Sequence, residues 1–372
     1  MIIQLRGGGV ANKGAELMTA AVAAHFASRP EVQLATDGRF GPFAARGRYG
    51  LALVAPIRRL GRSKIGYRLL APRFRELAGL VDESQVDALL DISGFSLGDQ
   101  RGVAIARAMA EAVREARGCG KRVVLLPQAL GPFENPVIRG HLQEIVQCSD
   151  RVYARDAVSL AHVKAAAGDQ PALRQAPDFT ALLKPASVAP QADLVYIVPN
   201  VRMQSAAVPS SQQGDYLPFL AECVRQLGAR GKHPAILLHS EEDRRLAAEL
   251  HAVLGSPIDV HEAADPLTLK GMLGSAALVI GSRYHALINA LSQGVPAIAF
   301  GWSHKYDELF TEYGCPEMQI RWPFQVEDLA ASLERALGPD RAALHSMLLQ
   351  HGGKVAAAAR DMWADVDAVL RI

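Results

Sequence analysis

The stretch ALVIGSRYHALINALSQGVPAIAFG, residues 277–301, predicts a strand, a helix and a second strand in succession. Its two apolar runs, 277–282 and 296–301, have the length of buried strands. The helix between them is expected to start after Ser282, whose side chain would cap it, and to end at Gly294. Because parallel strands need a crossover of this kind, the stretch predicts a βαβ unit and an α/β fold.

The same alternation of strand-like and helical runs continues along most of the chain. Further strands are predicted at 2–7, 86–93, 122–128, 151–155, 194–200 and 235–240. The stretch KPASVAPQAD, 184–193, has the composition of an interdomain linker. We therefore expect two doubly wound, Rossmann-like domains that face each other across a cleft.

The expected domain boundaries follow from this linker. The first domain is predicted at 1–185 and the second at 190–338, and a helical segment is predicted at 339–372. The sequence leaves open whether that last segment returns to the first domain.

Composition narrows the class of protein. The chain of 372 residues carries 40 Lys and Arg against 38 Asp and Glu, so its charge does not indicate nucleic-acid binding. Its four cysteines lie far apart, which fits a reducing compartment better than a disulfide framework or a zinc site. The N-terminal MIIQLRGGG is too short for a signal peptide, and no run of about 18 apolar residues occurs. We expect a cytoplasmic protein without a membrane span.

Two strand ends in the second domain are rich in cationic and titratable side chains. Arg283 and His285 follow the first strand of the opening stretch, and His304 and Lys305 follow its second strand after Ser303, the expected helix cap. Ligands of doubly wound sheets lie beyond the carboxyl ends of the strands. Since a helix N-terminus already carries partial positive charge, added cations there favour a bound anion.

A plainer alternative is that these cations only form surface ion pairs. Asp307 and Glu308 lie within three positions of Lys305, and either acid could pair with Lys305 or Arg283. We favour the anion site because the cations converge on predicted strand ends.

These residues also resemble a known family. GSRYHALINALSQGVPAIAFGWSHKYDELF, 281–310, is similar to the C-terminal motif of the polysaccharide pyruvyl transferases, which carry a comparable R-x-H, a G-x-P and a downstream lysine. The resemblance covers roughly 5–310 and includes, in the usual order of the family, GGGVANKGAELM (7–18), DISGFSLGD (91–99), PQALGPF (127–133), ARD (154–156) and APDF (176–179). It implies a fold similar to the two-domain GT-B glycosyltransferases. It also implies transfer of pyruvate from phosphoenolpyruvate to a sugar as a ketal.

The resemblance implies roles for the residues of the second domain. Phosphoenolpyruvate carries a carboxylate and a phosphate, and guanidinium groups bind both in bidentate fashion. The implied donor-binding residues are Arg283, Lys305, Arg202, Ser282 and His304. His285 is the implied general acid, with Arg283 beside it. Phosphoenolpyruvate is a substrate in this scheme, and no cofactor or metal is expected because no metal-ligand spacing such as H-E-x-x-H occurs.

The saccharide acceptor, free or lipid-linked, is predicted on the side of the first domain. The glycine-rich turn at 7–14 departs from both the G-x-G-x-x-G and the P-loop patterns, so a nucleotide is disfavoured there. The candidate acceptor-binding residues are Gly9, Asn12, Glu16, Asp91, Ser93, Asp99, Gln128 and Asp178. Asn12 is also the expected N-cap of the first helix. Two alternatives stay open: the turn only joins a strand to a helix, and Asp178 only caps the domain junction.

Two charged runs lie outside these motifs. RRLGRSKIGYRLLAPRFR, 58–75, holds seven Arg or Lys and no acid. It is either a solvated surface or a peripheral dock for anionic lipid headgroups or a lipid-linked sugar at the inner face of the membrane. The DVD at 365–367 is expected to be solvated surface rather than a metal motif, because helical positions i and i+2 do not share a face.

Three functions remain at this point. The first is a pyruvyl transferase acting on a cell-surface or capsular saccharide. The second is a glycosyltransferase that uses a nucleotide sugar, although the helix after strand 277–282 contains no acid to bind a ribose. The third is a non-catalytic protein that binds anionic sugars.

Overall fold

The computed structural model describes residues 1–55, 72–205, 208, 213–301 and 303–372. The chain forms two compact units. The first contains Met1–Ala11, Met18–Phe179 and Ala358–Ile372, and the second contains Asn12–Leu17 and Thr180–Ala357. The end of the chain therefore returns to the first unit.

The described part of the first unit is built on an eight-stranded sheet. Its strands are β1 (Ile2–Arg6), β2 (Gln33–Thr36), β3 (Ala52–Val54), β4 (Leu80–Val81), β5 (Ala88–Asp91), β6 (Arg122–Gln128), β7 (Arg151–Ala154) and β8 (Leu173–Gln175). Their order is β4-β3-β2-β1-β5-β6-β7-β8, and every neighbouring pair is parallel. The order in which strands are added to the sheet reverses between β1 and β5, as in a doubly wound sheet.

The described part of the second unit contains a six-stranded sheet. Its strands are β9 (Gln191–Val198), β10 (His233–Leu238), β11 (Asp259–Glu262), β12 (Ala276–Gly281), β13 (Ala297–Phe300) and β14 (Gln319–Ile320). Their order is β11-β10-β9-β12-β13-β14, again with every pair parallel. The switch point lies between β9 and β12, so a ligand is expected beyond their carboxyl ends.

Most helices connect successive strands as crossovers, and the last two follow β14. The helices are α1 (Lys13–Phe26), α2 (Phe43–Arg48), α3 (Pro72–Leu77), α4 (Val103–Gly118), α5 (Pro136–Cys148), α6 (Ala157–Ala167), α7 (Tyr216–Ala229), α8 (Arg244–Leu254), α9 (Pro266–Ser275), α10 (Tyr284–Leu291), α11 (His304–Glu312), α12 (Val326–Leu337) and α13 (Arg341–Leu370). Helix α1 begins in the second unit and continues into the first.

Parallel strands are covered on both faces, which explains their nearly continuous apolar runs. In the first unit, α4 and α5 pack against β6 through Met109, Val113, Leu142, Ile145, Val123 and Leu125, each at most 2% exposed. In the second unit, β12 is buried at every position. The opening stretch of sequence therefore contains a central strand of the second sheet.

Two doubly wound parallel sheets confirm the predicted α/β class. The main part of the first unit ends at Phe179, whereas the sequence predicts an end at 185. Strand β9 begins at Gln191, so the last residues of the predicted linker are strand. Asn12–Leu17 belongs to the second unit, although the sequence assigns it to the first domain.

The membrane hypothesis concerns mostly residues outside the described part of the chain. Residues 58–71 of the basic run at 58–75 lie outside the described residues, so contact of the run with lipid stays a prediction. Among the described residues, no helix is both long and apolar enough to cross a bilayer.

The DVD run is not solvated surface, and that prediction was wrong. Asp365 accepts hydrogen bonds from Arg151 Nε at 2.8 Å and from the hydroxyl of Tyr153. Asp367 accepts from Arg29 Nη1 at 2.6 Å and lies 2.8 Å from His25 Nε2. The two acids point to different partners, as positions i and i+2 of a helix require. They hold the C-terminal part of α13 to the first unit.

Replacing Asp367 by asparagine is expected to lower the free energy of unfolding by about 1–3 kcal/mol, because Arg29 and His25 lose a charged acceptor. Burial alone would raise the pKa of Asp367, but its hydrogen bonds with Arg29 and His25 lower it overall. A lowered pKa stabilises the fold above about pH 4, the range of a free carboxyl, and this contribution is lost as the pH falls through the folded pKa.

Urea unfolding at about pH 7 and again below about pH 3, under the range of a free carboxyl, measures both effects. Asp361→Asn, an exposed position on the same helix, is the matched control. Equal losses in the two variants, or a difference from wild type that does not shrink with acid, would contradict the stabilising role of Asp367.

Candidate functional site

The predicted donor residues lie at one edge of the second sheet. Strands β9, β12 and β13 are neighbours and parallel, so their carboxyl ends meet at the same edge. The predicted donor residues at these exits are Arg202 after β9, Ser282 and Arg283 with His285 after β12, and His304 and Lys305 after β13.

Ser282 ties the three strand ends together. Its buried hydroxyl donates to Phe300 O at the end of β13. Its carbonyl oxygen accepts from Asn200 Nδ2 at 2.7 Å and from the Tyr306 hydroxyl at 2.8 Å. The single proton of the hydroxyl is thus used within the protein, so Ser282 positions the site. Its predicted donor contact stays untested.

The N-cap of α10 is Arg283, and the prediction that Ser282 caps this helix was wrong. The chain stays extended one residue longer than expected, because Ser282 N still donates to Val198 O on β9 at 3.2 Å. Arg283 makes no side-chain capping bond. His285 is the second residue of the helix, in the first turn as predicted.

The guanidinium of Arg283 forms a buried ion pair. Its Nε donates to Asp243 Oδ2 at 2.9 Å and its Nη2 donates to Asp243 Oδ1, so the contact is bidentate. Asp243 also accepts from Val201 N at 3.1 Å. Burial raises the pKa of Asp243, and the charge and hydrogen bonds of Arg283 oppose that rise. Arg283 is thus in an ion pair, as the plainer alternative expects, but the pair is buried and its acid is Asp243; Asp307, one of the acids named for it, pairs with Arg321.

This ion pair limits which guanidinium nitrogens of Arg283 can bind a ligand. Its bidentate edge faces Asp243, while Nη1 makes no hydrogen bond with the described residues. Without breaking the pair, a ligand can therefore be reached only by the end-on edge of the guanidinium, formed by Nη1 and the second N–H of Nη2. The predicted donor contact stays a prediction, and a bidentate contact through Nε and Nη2 would require Asp243 to move.

His285 is half-buried and lies against the first turn of α1. A Cβ atom built on Gly14 would come within 2.5 Å of His285 Nδ1, so the ring occupies the space of the missing side chain. The turn of α10 that carries His285 is fixed by Asn289, whose Nδ2 donates to His285 O at 2.6 Å.

The first turn of α1 is anchored to the exit of β10. Asn12 Oδ1 accepts from Gly14 N at 2.8 Å, which confirms Asn12 as the predicted N-cap. Lys13 N donates to His239 O at 3.0 Å, and Asn12 pairs with Ser240 in an antiparallel bridge. This turn lies in the second unit, beside His285. Asn12 and Glu16, which the sequence predicts to bind the acceptor, therefore lie next to the residues predicted to bind the donor. Their acceptor roles stay predictions.

Glu16 is fully buried and 2.9 Å from Lys13 Nζ. Lys13 Nζ also lies 3.4 Å from Ala264 O. The edge therefore contains two buried acids, each paired with a cation: Glu16 with Lys13, and Asp243 with Arg283. The edge is therefore less cationic than the sequence suggests.

Two further cations of the edge differ from Arg283. Arg202 lies in the short 3₁₀ turn Val201–Gln204, where its N–H donates to Asn200 Oδ1 at 3.0 Å. Its side chain is exposed and forms no ion pair within the described part of the chain. Lys305 is half-buried in the first turn of α11, with its Nζ 5.1 Å from the centre of the Tyr306 ring.

Helix α11 begins as predicted, but without the predicted capping bond. Ser303 is its N-cap residue, yet its hydroxyl makes no capping hydrogen bond. His304 is the first helical residue and is half-buried.

Three of the predicted acceptor residues meet in the first unit, at the ends of β5 and β6. Ser93 donates to Asp91 through N at 3.1 Å and through Oγ at 3.0 Å, and Gln128 Nε2 donates to Asp91 Oδ1 at 3.3 Å. Gln128 Oε1 accepts from Ser96 Oγ at 2.8 Å. Burial raises the pKa of Asp91, and its hydrogen bonds and the charge of Arg6 offset only part of the rise. Because Asp91 is only 1% exposed and these groups bond one another, their acceptor roles stay predictions.

Asp99 and Asp178 make structural contacts elsewhere in the first unit. Asp99 accepts from Glu134 N at 2.7 Å and from Asn135 N at 3.2 Å, and so fixes that loop. Asp178 is buried, with Arg155 Nη1 at 3.4 Å. Both carboxylates therefore already have a local function that needs no ligand.

The glycine-rich turn is only partly explained by internal packing. At Gly7, whose φ is +85°, a Cβ would lie 2.1 Å from Ser93 Oγ. At Gly9 the nearest atom would be Phe40 O at 3.7 Å, which is ordinary contact. Packing accounts for the first of these glycines and leaves Gly9 as an acceptor candidate.

Comparison with known families gives this geometry a context. The family model described as polysaccharide pyruvyl transferase matches residues 12–304. The chain belongs to this family. The match begins at the N-cap of α1 and contains Arg283 and His285, while Lys305 lies one residue beyond its end. No curated protein matches the sequence.

Solved structures share the fold of this pyruvyl transferase family member at low sequence identity. HepE from Anabaena, solved in complex with UDP and glucose, is 12% identical over 99% of each chain, with a TM-score of 0.58. MnaA from S. aureus, solved with UDP, is 10% identical over 100% of this chain and 96% of its own, with a TM-score of 0.60. UDP-GlcNAc 2-epimerase from Neisseria meningitidis, bound to UDP-GlcNAc, is 9% identical over 100% of each chain, with a TM-score of 0.56. The chain thus has a GT-B-like fold, as predicted.

Sequence reasoning missed three residues of this site: Lys13, His239 and Asp243. His239 follows a strand directly, so the rule that selected Arg283 would also have found it. The roles of Lys13 and Asp243 depend on partners distant in sequence, and no local pattern indicates them.

Proposed function

We propose that this family member transfers the pyruvyl group of phosphoenolpyruvate to a sugar of a cell-surface or capsular saccharide, forming a ketal. One observation carries the proposal: the exits of three neighbouring parallel strands bring Arg202, Arg283, His285 and Lys305 to one sheet edge. Phosphoenolpyruvate is small and carries both a carboxylate and a phosphate, which such an edge can bind.

The donor would be held by the cations at the carboxyl ends of β9, β12 and β13. Lys305 and His304 lie in the first turn of α11, where the helix dipole favours an anion. Arg202 offers a whole guanidinium fork for the carboxylate or the phosphate. Arg283 adds Nη1 while Asp243 keeps it in place.

The reaction then needs one proton carrier beside the donor. His285 would donate a proton to the methylene carbon while a sugar hydroxyl attacks the adjacent carbon, so the double bond becomes a methyl group and a new C–O bond. The proton lost by that hydroxyl restores His285. A second hydroxyl then displaces phosphate, which leaves with its bonding electrons and takes up the second proton. Donor and acceptor are substrates, and no cofactor enters this scheme.

A glycosyltransferase that uses a nucleotide sugar is the second candidate. It is favoured by the structural neighbours, some of which were solved with UDP or a UDP-sugar. Against it, the two buried acids at the edge, Asp243 and Glu16, are paired with Arg283 and Lys13. Both carboxylates are thus already used in ion pairs within the protein.

Thermal unfolding with each donor separates the two functions. Phosphoenolpyruvate at 100 times its dissociation constant is expected to stabilise the protein by about 2.7 kcal/mol. UDP-glucose and UDP-GlcNAc, tested at the same concentrations, are expected to give no shift. Stabilisation by a sugar nucleotide and none by phosphoenolpyruvate would overturn the proposal in favour of the second candidate.

Gly14→Ala is expected to reduce turnover by about 100-fold, because the new methyl group would displace the ring of His285 by an ångström or more. The fold should persist, since alanine is a good helix former. Phosphate release in the presence of phosphoenolpyruvate and acceptor measures the effect.

Gly228→Ala is the matched control, because Gly228 lies in α7 and a Cβ there would meet no atom within 4 Å. Equal activity of the two variants would show that contact between α1 and His285 does not matter for catalysis.

A further inference from the structure

His239 is a buried histidine that the reaction scheme has not used. It directly follows β10 and is 1% exposed. Its carbonyl oxygen accepts from Lys13 N, and the next residue, Ser240, pairs with Asn12. The first turn of α1 therefore contacts the loop of His239 and, through Gly14, the ring of His285.

Neither ring nitrogen of His239 makes a hydrogen bond with the described residues, and both are inaccessible to solvent. A buried polar group without a partner is costly, so such groups are uncommon and call for an explanation. A neutral imidazole has one acceptor nitrogen and one donor nitrogen. His239 can therefore accept one hydrogen bond from a neighbouring group without taking up charge.

The charged groups around His239 come from three elements. Lys13 belongs to α1, and Arg283 and His285 belong to the start of α10; each of the three opposes a positive charge on His239. Lys13 and Arg283 are paired with Glu16 and Asp243, the second of which lies on the loop of His239 itself. Burial above all, and then these cations, lower the pKa of His239 well below its usual value.

We propose that His239 is a positioning residue whose neutral ring accepts a hydrogen bond from the ring of His285 while His285 carries the proton for the donor. A carboxylate partner would hold that proton more strongly but would repel the carboxylate and phosphate of the donor. A neutral imidazole stabilises the charged ring without this repulsion. The catalytic part of this inference rests on the proposed function, whereas the hydrogen bond itself does not.

The test follows the ring resonances of selectively ¹³C-labelled histidine in the whole protein, without donor, as the pH is varied. His239→Leu removes the acceptor, and the titration midpoint of His285 is expected to move to lower pH by about one unit. Asn and Gln place an amide oxygen near the positions of Nδ1 and Nε2, so one of His239→Asn and His239→Gln should restore most of the shift. His251→Leu is the control. In the wild-type protein His251 lies on α8, and its Nε2 is 2.9 Å from Ile258 O.

If the titration midpoint of His285 in His239→Leu stays unchanged or moves to higher pH, the inference is overturned. It is also overturned if neither amide variant restores the midpoint. If the leucine variant does not fold, the wild-type spectrum decides: His239 must stay neutral in a single tautomer over the whole range in which the protein is folded. A charged His239 near neutral pH would overturn the role. Because no donor is present, this result is independent of whether phosphoenolpyruvate is the substrate.

Discussion

His285→Gln is expected to lower the rate of phosphate release from phosphoenolpyruvate by about 10²–10⁴-fold, the usual contribution of a proton-transferring side chain. Donor affinity should change little, because the proposed anion contacts come from Arg202, Lys305 and Arg283. Glutamine keeps a polar side chain of similar length in the half-buried space beside Gly14 but cannot deliver a proton at neutral pH.

The measurement combines initial rates with thermal shift titrations of phosphoenolpyruvate. His251→Gln, which removes an imidazole from α8, serves as the control and should keep full activity. A His285→Gln protein with the wild-type rate would show that the proton comes from another group. Loss of donor binding together with the rate would instead show that His285 is mainly an anion contact.

Arg283→Ala is expected to lower the free energy of unfolding by about 3–5 kcal/mol, because it leaves the carboxylate of Asp243 buried without a partner. Donor binding should also be lost, since Nη1 disappears with the side chain. The two effects can be separated. The double variant Arg283→Gln with Asp243→Asn removes both charges while keeping the shape of the pair, and it should recover most of the stability but not the donor binding.

Urea unfolding and donor titrations measure the two effects. Arg321→Ala is the control, because Arg321 pairs with Asp307 at the surface and is 73% exposed; its loss should cost less than about 1 kcal/mol. A cost for Arg283→Ala as small as that of Arg321→Ala would contradict the importance of the buried pair. Wild-type donor affinity in the double variant would show that Arg283 does not bind the donor.

The fold could be predicted because its signal is local. A parallel strand buried on both faces is an apolar run, and β12 shows this at each of its positions. The exits of β12 and β13, with Arg283, His285 and Lys305, follow from the same pattern because ligands of such sheets lie beyond the strand ends. Asn12 could be recognised as a helix cap from its side-chain chemistry alone.

The predictions that went wrong depended on partners far away in the chain. Ser282 has the chemistry of a cap, but its hydroxyl bonds Phe300 O and its backbone continues β12 by one residue. Asp365 and Asp367 lie on one helix, and their partners are more than 200 residues away in sequence. Pairings of this kind depend on how the elements pack, which periodicity does not reveal.

The same reason explains why the first turn of α1 was assigned to the wrong side. The sequence places Asn12–Leu17 just after β1, a strand of the first sheet. Its contacts are with Ser240 and His239, more than 200 residues later, and with His285. One consequence is that Glu16 lies close to the proposed donor residues, where its buried pairing with Lys13 offsets a cation.

The most direct test of the central claim is to incubate the protein with ¹³C-labelled phosphoenolpyruvate, UDP-glucose, UDP-GlcNAc and a panel of free and lipid-linked glycans. Carbon NMR of the glycan and the amount of phosphate released are then measured together. The account predicts a labelled ketal carbon on one glycan and one phosphate per ketal formed, both absent with His285→Gln. A glycan that gains a sugar from UDP-glucose or UDP-GlcNAc, with no labelled ketal on any acceptor, would contradict it.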